Sequence, residues 1–337
     1  MQEAHLKYLA CPECESSFSL RGHVVRDGKH VVSGDLVCEG CGATYPIAGA
    51  IPRFVPLDNY ADSFGFEWLK HARTQYDEYS GVDRSKQRFR AETRFPACLD
   101  GETILEVGSG SGRFTSIAAE TGAMVCSLDY SRAVEANFES NGSKENVLIV
   151  QGDLYCMPFR RNMFDRLFCL GVLQHTPNVK RSFFALLPFL KPGGTLAIDC
   201  YAQMKGALPF IIRNTSTKVI ARLFTPYMDK SKLYRWCERH TNRMWPLAKK
   251  ISKIPHIGAT LNRRLLVVYY GNDIPDMREE KLREWGVLDL FDMLSPMYDK
   301  PQHIETIQEW FHEAGLEDID VQYGYNGING RGRKSLH

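Results

Sequence analysis

Five apolar stretches between Thr103 and Tyr201 constrain the fold more than any other feature of the chain: TILEVGSG, AMVCSLD, VLIVQGD, FDRLFCLGV and GGTLAIDCY. Each has the length of one strand. Each is nearly continuous in apolar residues, the pattern of strands buried on both faces. The polar segments between them suit helices, over residues 112–121 and again from Ser131, whose hydroxyl fits an N-cap. Strand–helix alternation predicts an α/β fold with a parallel sheet covered on both faces. The first stretch breaks into Gly108, Gly110 and Gly112 at the carboxyl end of its strand, where such sheets bind ligands.

The glycine spacing leaves the ligand open. A dinucleotide fingerprint needs G-x-G-x-x-G, and Arg113 stands where its last glycine would be. Asp129, at the end of the second stretch, is placed to accept hydrogen bonds from ribose hydroxyls in either case.

A second constraint lies near the start. Cys11 and Cys14 form one C-x-x-C pair in CPEC, and Cys38 and Cys41 form another in CEGC. Two pairs on tight turns give four thiolates for a closed tetrahedral zinc site, structural rather than catalytic because no coordination position stays open. The segment HVVRDGKHVVSGDLV between them reads as a hairpin. Cys126, Cys169 and Cys200 fall inside apolar runs and read as small buried hydrophobes. The first residues lack the apolar core of a signal peptide, and no run approaches the roughly 18 apolar residues of a spanning helix. A cytoplasmic, reducing location is expected, where thiols ligate metal rather than pair.

Two resemblances follow from these residues. LACPEC…LVCEGCGATYPIAGAIPRFV, over about residues 6–56, resembles the Trm112-like zinc ribbon, a structural or partner-binding module in related proteins. ILEVGSGSGRF, LDYS, QGDLYCMPF, FDRLFCLGVLQHTP and LKPGGTLAIDCY, in that order, resemble the class I S-adenosylmethionine-dependent methyltransferases. SFGFEW…TQYDEY before this core, and VLDLFDMLSPMYDKPQ…WFHEAGLEDIDV after it, resemble one bacterial subgroup whose domain is of the methyltransferase type 11 kind and whose substrates are poorly defined. The resemblance implies a Rossmann-like class I methyltransferase sheet with an N-terminal zinc ribbon and a helical insertion. It divides the chain into a ribbon (1–56), a core with an N-terminal lid helix (57–202), a basic helical cap (203–300), and the last helix and strands of the core (301–337). It assigns Glu106 and the loop Gly108, Ser109, Gly110 and Gly112 to the methionine part of the donor. Asp129 would hold the ribose beside Tyr130, and Asp153 and Leu154 the adenine.

Methyl transfer from a sulfonium is an in-line displacement, and a hydroxyl acceptor gains from a base. His175, after the fourth stretch, is the candidate base or a shaping wall of the pocket. Gln174 could orient an acceptor or contact loop backbone, and Asp199 and Tyr201, at the end of the fifth stretch, either point toward the site or hydrogen-bond to loops. Trp68, Gln75, Tyr76 and Tyr79 are expected on a lid helix, with Trp68, Gln75 and Tyr79 on one face. The fourth stretch lacks the Asn/Asp-Pro-Pro-Tyr/Phe ending of enzymes that methylate exocyclic amines, which favours oxygen over nitrogen.

At 337 residues the chain allows two or three domains of roughly 150 residues each. Its net charge is only +2, yet residues 203–264 hold 14 Lys/Arg and two acids, Asp229 and Glu238, so the remainder carries −10. Val219, Ile220, Leu223 and Phe224 recur at helical spacing there, interleaved with Phe210, Tyr227, Tyr234, Trp236 and Trp245. A solvated basic cap is the first reading of this segment, attraction of an anionic acceptor the second and RNA the third. The expected function is methyl transfer to a small-molecule or glycan-type acceptor, more at oxygen than nitrogen, in specialised metabolite or glycan biosynthesis. An RNA methyltransferase and a non-catalytic cofactor-binding scaffold are the alternatives. The partner expectations are a small-molecule or glycan acceptor, no nucleic acid, and an open place for peripheral membrane contact or for a homo-oligomer or protein partner through the zinc ribbon.

Overall fold

In the computed structural model, which describes residues 1–56, 61–203 and 216–336, the cysteine pairs flank a four-stranded antiparallel sheet. β1 (Phe18–Asp27) and β2 (His30–Cys38) form the expected hairpin, followed by β3 (Thr44–Ala48) and β4 (Ile51–Pro52). Three helices lead into the core: α1 (Asp62–Lys70), α2 (Asp77–Ser80) and α3 (Arg84–Thr93). The core then alternates as β5 (Thr103–Val107), α4 (Arg113–Ala119), β6 (Met124–Asp129), α5 (Val134–Asn141), β7 (Val147–Gln151), β8 (Phe164–Cys169), α6 (Val179–Leu186) and β9 (Leu190–Cys200). All five expected strands form, and Cys126, Cys169 and Cys200 are buried in them. Ser131 does not cap α5. Its hydroxyl donates to Asp129 Oδ1 at 2.7 Å, and the helix starts at Val134.

The insertion folds into α7 (Thr217–Ala221), α8 (Lys230–Ile251), α9 (Gly258–Arg264) and α10 (Glu279–Leu294). Asp229 caps α8 by accepting from Lys232 N at 2.9 Å. Tyr234 and Trp245 on α8 are buried against α10 and its approach, in clusters with Phe291 and with Trp285. The expectation for Val219–Phe224 needs correction. The helix there is one short turn, and Ile220, Leu223 and Phe224 are exposed, as are Tyr227 and Trp236. Helical spacing recurs, but among the described residues Ala221 packs on the α10 cluster while Ile220, Leu223 and Phe224 are left uncovered. Lys205, Phe210 and Arg213 lie outside the described residues. Among the described residues no helix is long and apolar enough to cross a membrane.

The chain returns to the core through α11 (Ile304–Glu313), β10 (Leu316–Gly324) and β11 (Gly327–Lys334). The seven strands run in the order β10-β11-β9-β8-β5-β6-β7. β5 to β9 are parallel, and β11 joins β9 and β10 antiparallel. The tail GRGRK is therefore the last strand in sequence but not the exposed edge. β10 takes that edge, and Arg331 on β11 is buried. The opposite edge is covered by the ribbon. Phe54, just after β4, donates its N–H to the Gln151 carbonyl on β7 at 2.8 Å, and Ala10 donates to the Pro158 carbonyl at 3.0 Å. Leu9, Phe18, Leu36 and Ile47 share one buried cluster with Leu148, Val150 and Phe159. The ribbon thus covers an edge that would otherwise present unpaired backbone groups.

The lid segment is not one helix. α1 stops at Lys70, and Gln75 lies in the turn before α2, so Trp68, Gln75 and Tyr79 do not share a helical face. Hydrogen bonds pin this segment to the cap instead. Tyr234 Oη meets His71 Nε2 at 3.0 Å, Thr74 Oγ1 donates to Glu284 Oε1 at 2.6 Å, and Tyr79 Oη donates to Glu284 Oε2 at 3.1 Å. Burial would raise the Glu284 carboxyl, but the bonds from His71, Thr74 and Tyr79 outweigh it and hold it at about 2. This value lies below that of an unfolded glutamate, so the stabilisation is complete above about pH 4.5 and is lost as pH falls towards 2. Glu284→Gln is expected to cost about 1–2 kcal/mol at pH 7 and distinctly less at pH 3. Urea unfolding at the two pH values measures this, and an equal loss at both would contradict the charged role of Glu284.

Candidate active site

β5 is the switch point of the sheet: β6 lies on one side of it and β8 on the other, so the loops after β5 and β8 diverge and leave a crevice. The glycine loop occupies that crevice. Gly108 has φ +82°, and a Cβ there would come within 2.1 Å of Val172 in the loop after β8. Gly112 has φ +87°, and a Cβ would meet Asn137 Oδ1 at 2.1 Å. Both positions require glycine, for conformation and for space. Gly110 lies under Trp68, whose indole nitrogen is 3.1 Å from where its Cβ would be, so α1 packs on the glycine loop.

Asp129, at the end of β6, holds the loop. Its Oδ2 accepts from Gly110 N at 2.8 Å, and its Oδ1 accepts from Ser131 N at 2.8 Å. Burial raises its carboxyl, against the pull of these hydrogen bonds. A carboxylate has about four acceptor positions, so room remains for ribose hydroxyls. Glu106 lies beneath the loop, fully buried. Burial pushes it up to about 8, its Oε2 accepts from the Thr115 hydroxyl, and its Oε1 has no partner. Ser109 Oγ is likewise buried without a partner. These orphaned polar atoms beside the glycines fit the polar methionine end of a donor such as S-adenosylmethionine.

One cavity of about 660 Å³ gathers much of what the sequence singled out. Gly108, Ser109, Gly110, Asp129, Tyr130 and Leu154 line it on the donor side; Trp68, Gln75, His175 and Tyr201 also line it. Glu106, Gly112, Asp153 and Gln174 do not. Gly112 packs on α5, and Asp153 Oδ1 caps the turn that follows by accepting from Tyr155 N at 2.8 Å. Gln174 is fully buried, and its side-chain amide has no hydrogen-bond partner. His175 Nδ1 is 2.9 Å from the Tyr298 carbonyl oxygen. A carbonyl can only accept, so Nδ1 carries the proton and Nε2 presents a lone pair. The rings of Phe64 and Tyr201 flank the imidazole, with centroids at 5.1 and 5.4 Å.

The four cysteine sulfurs lie within 4.8 Å of one another. Cys11 and Cys41 are 3.7 Å apart and Cys14 and Cys38 are 3.3 Å apart, near the roughly 3.8 Å edge of a zinc–thiolate tetrahedron. Cys41 N donates to Cys38 Sγ at 3.5 Å. The donor set and its geometry fit a structural zinc ion.

Sequence reasoning missed two groups. The first is a buried ion cluster: Arg88 on α3 donates to Glu92 Oε2 at 3.0 Å and to Asp199 Oδ2, while Asp199 Oδ1 accepts from Gly171 N. Asp199 follows the second of its two readings, bonding to the loop that carries Val172 and His175. The second is a set of acids in the cavity wall, Glu67 on α1 and Asp289 and Asp292 on α10. Their signal was a charge inside an apolar run, in SFGFEWL and GVLDLFDML.

Residues 105–198 match the family model described as a methyltransferase domain. A tRNA U34 carboxymethyltransferase of Campylobacter curvus is 30% identical over 148 residues, 42% of this chain and 48% of that protein. A demethylmenaquinone methyltransferase of Clavibacter sepedonicus is 26% identical over 186 residues, 50% of this chain and 74% of that one. The chain thus spans about half the length of the first relative. Among solved structures, phosphoethanolamine N-methyltransferase 1 of Haemonchus contortus, in complex with phosphoethanolamine and S-adenosylhomocysteine, superposes with a TM-score of 0.35 at 21% identity, covering 44% of this chain and 34% of that one.

Proposed function

We propose that the protein transfers the methyl group of S-adenosylmethionine to a small-molecule or glycan-type acceptor held beneath the helical cap, at an oxygen atom. One observation carries this reading: a single cavity runs from the glycine loop and Asp129 to cap residues of α9 and α10. Its volume, about 660 Å³, lies within the range of sites that enclose small ligands.

When bound, the donor supplies an electrophilic methyl group on a sulfonium. Asp129 would accept from its ribose hydroxyls, Tyr130 and Leu154 would wall the base, and Ser109 would meet the methionine end, with Glu106 buried beneath the loop. The cap and Trp68 exclude water, which strengthens these polar contacts. His175 Nε2 would take the proton of an acceptor hydroxyl held facing the methyl group. In this reading Tyr298 is a positioning residue, because its carbonyl fixes the imidazole tautomer.

Titration calorimetry with S-adenosylmethionine and S-adenosylhomocysteine on zinc-replete protein tests the donor site. Micromolar binding is expected, weakened at least about tenfold in Asp129→Ala, as the loss of charge-assisted hydrogen bonds predicts. Absence of binding to the intact protein would overturn the reading.

A further inference from the structure

Arginines line much of the cavity, Arg84, Arg88 and Arg113 on the core side and Arg263 from α9, but the part of the wall shared by α1 and α10 is acidic. Glu67 on α1 is fully buried, lines the cavity, and has no hydrogen-bond partner on either carboxylate oxygen among the described residues. Asp289 and Asp292 stand three residues apart on α10, which places them on one helical face. Both act electrostatically on Glu67. Asp289 accepts from the Tyr270 hydroxyl, and Asp292 accepts from Tyr201 at 3.4 Å. No ion pair joins any of the three to a basic side chain among the described residues, whereas Arg88, in the same wall, is committed to Glu92 and Asp199. Arg84 lies over the rings of Tyr270, Trp285 and Tyr325 instead. Arg113, at the loop, has its guanidinium over Phe114.

Three carboxyls converging in a low-dielectric cavity repel one another and are costly when none is paired. Hydroxyl partners, as Tyr201 and Tyr270 provide, satisfy lone pairs, and Arg84 and Arg113 act on Asp289 only through space, without an ion pair among the described residues. A cation removes both costs. Tyr201 adjoins the His175 ring and also reaches Asp292, so the acidic wall borders the proposed point of reaction.

We propose that Glu67, Asp289 and Asp292 form a cation-recognition subsite, and that the methyl acceptor is an amine-bearing molecule whose protonated amino group docks there while a hydroxyl faces His175. This rests on the donor reading above and narrows its acceptor class. It also reverses the expectation of an anionic acceptor drawn from the basic insertion. The excess of Lys and Arg belongs to the insertion as a whole, while the cavity wall it contributes through α10 presents Asp289 and Asp292.

The test uses the full, zinc-replete chain saturated with S-adenosylhomocysteine. Calorimetry at pH 7.5 compares paired probes that differ in one group: glucosamine against glucose, galactosamine against galactose, and ethanolamine against ethylene glycol. The amino probes are expected to bind at least tenfold tighter in one or more pairs. Asp289→Asn with Asp292→Asn is expected to erase the preference and leave S-adenosylhomocysteine binding unchanged, with circular dichroism and Tm reporting that the variant is folded. Glu67→Gln, tested alone, gives a second readout if the double variant fails to fold. Equal binding within every pair overturns the proposal, as does a preference that survives in the variants. Loss of S-adenosylhomocysteine binding in a folded variant assigns the acids to the donor and also overturns it. If the unmodified chain does not bind S-adenosylhomocysteine, the donor reading falls and this one with it.

Discussion

Stripping zinc from the protein is expected to lower its Tm by roughly 10–20 °C and to drive it into aggregates. Structural zinc contributes on the order of 10 kcal/mol to small ribbons, more than such a module retains without it. Here the ribbon is not an appendage. Leu9, Phe18, Leu36 and Ile47 form one buried cluster with residues of β7 and the segment after it, so the ribbon cannot unfold without uncovering core side chains. Losing on the order of 10 kcal/mol from a chain of this size, at roughly 1.4 °C per kcal/mol, gives the stated shift. The unfolded ribbon also leaves the β7 edge bare, and bare edges pair with other chains. Metal analysis should find one equivalent of zinc per chain. Scanning calorimetry before and after treatment with a strong chelator measures the shift. An unchanged Tm at less than a tenth of an equivalent of zinc would show that the cysteines do not depend on metal. Cys11→Ser should reproduce the loss, because it removes a ligand that is itself buried.

Arg88→Leu is expected to cost about 3–5 kcal/mol and to weaken donor binding at the same time. Burial works against the Arg88 guanidinium, but Asp199 and Glu92 outweigh it and keep it charged. Replacing it leaves the wholly buried Asp199 carboxylate facing Gly171 N alone. Uncompensated buried charges are among the most destabilising single changes. Gly171 begins the loop that places Val172 against Gly108 and His175 against the cavity, so a shift of Asp199 moves the donor wall. Urea unfolding gives the stability, and titration with S-adenosylhomocysteine gives the affinity. A cost below about 1 kcal/mol would mean that Asp199 finds another partner or takes up a proton without strain. A large cost with unchanged affinity would separate the ion cluster from the site.

Much of this molecule is written locally. The five strands, the glycine loop and the cysteine pairs each depend on residues within a few positions of one another. Backbone conformation and ligand spacing act over that range, so pattern reading locates them. Reading failed where the same pattern served two outcomes. Val219 to Phe224 carry helical apolar spacing as surely as Leu233 to Trp245 do, yet Leu233, Tyr234 and Trp245 are buried in clusters with α10 while Ile220, Leu223 and Phe224 stay exposed. Asp199 was legible as a polar residue at the end of a strand. That it is spent on Arg88 was not, because α3 comes much earlier in the chain.

The sequence by itself determined the α/β core, the thiolate tetrad and the crevice in which a donor is expected to lie. Tertiary structure alone decided that β11 enters between β9 and β10, that the ribbon covers β7, and that Glu67 meets Asp289 and Asp292 across the cavity. The physical reason is one of range. A residue's own preferences fix its φ, its face and its cap, but carry no information about which distant element will lie opposite. The entropy of closing a loop changes slowly with its length, so many distant partners cost nearly the same. Packing of the whole chain selects among them, and here it brings three carboxyls from two far-separated segments to one wall.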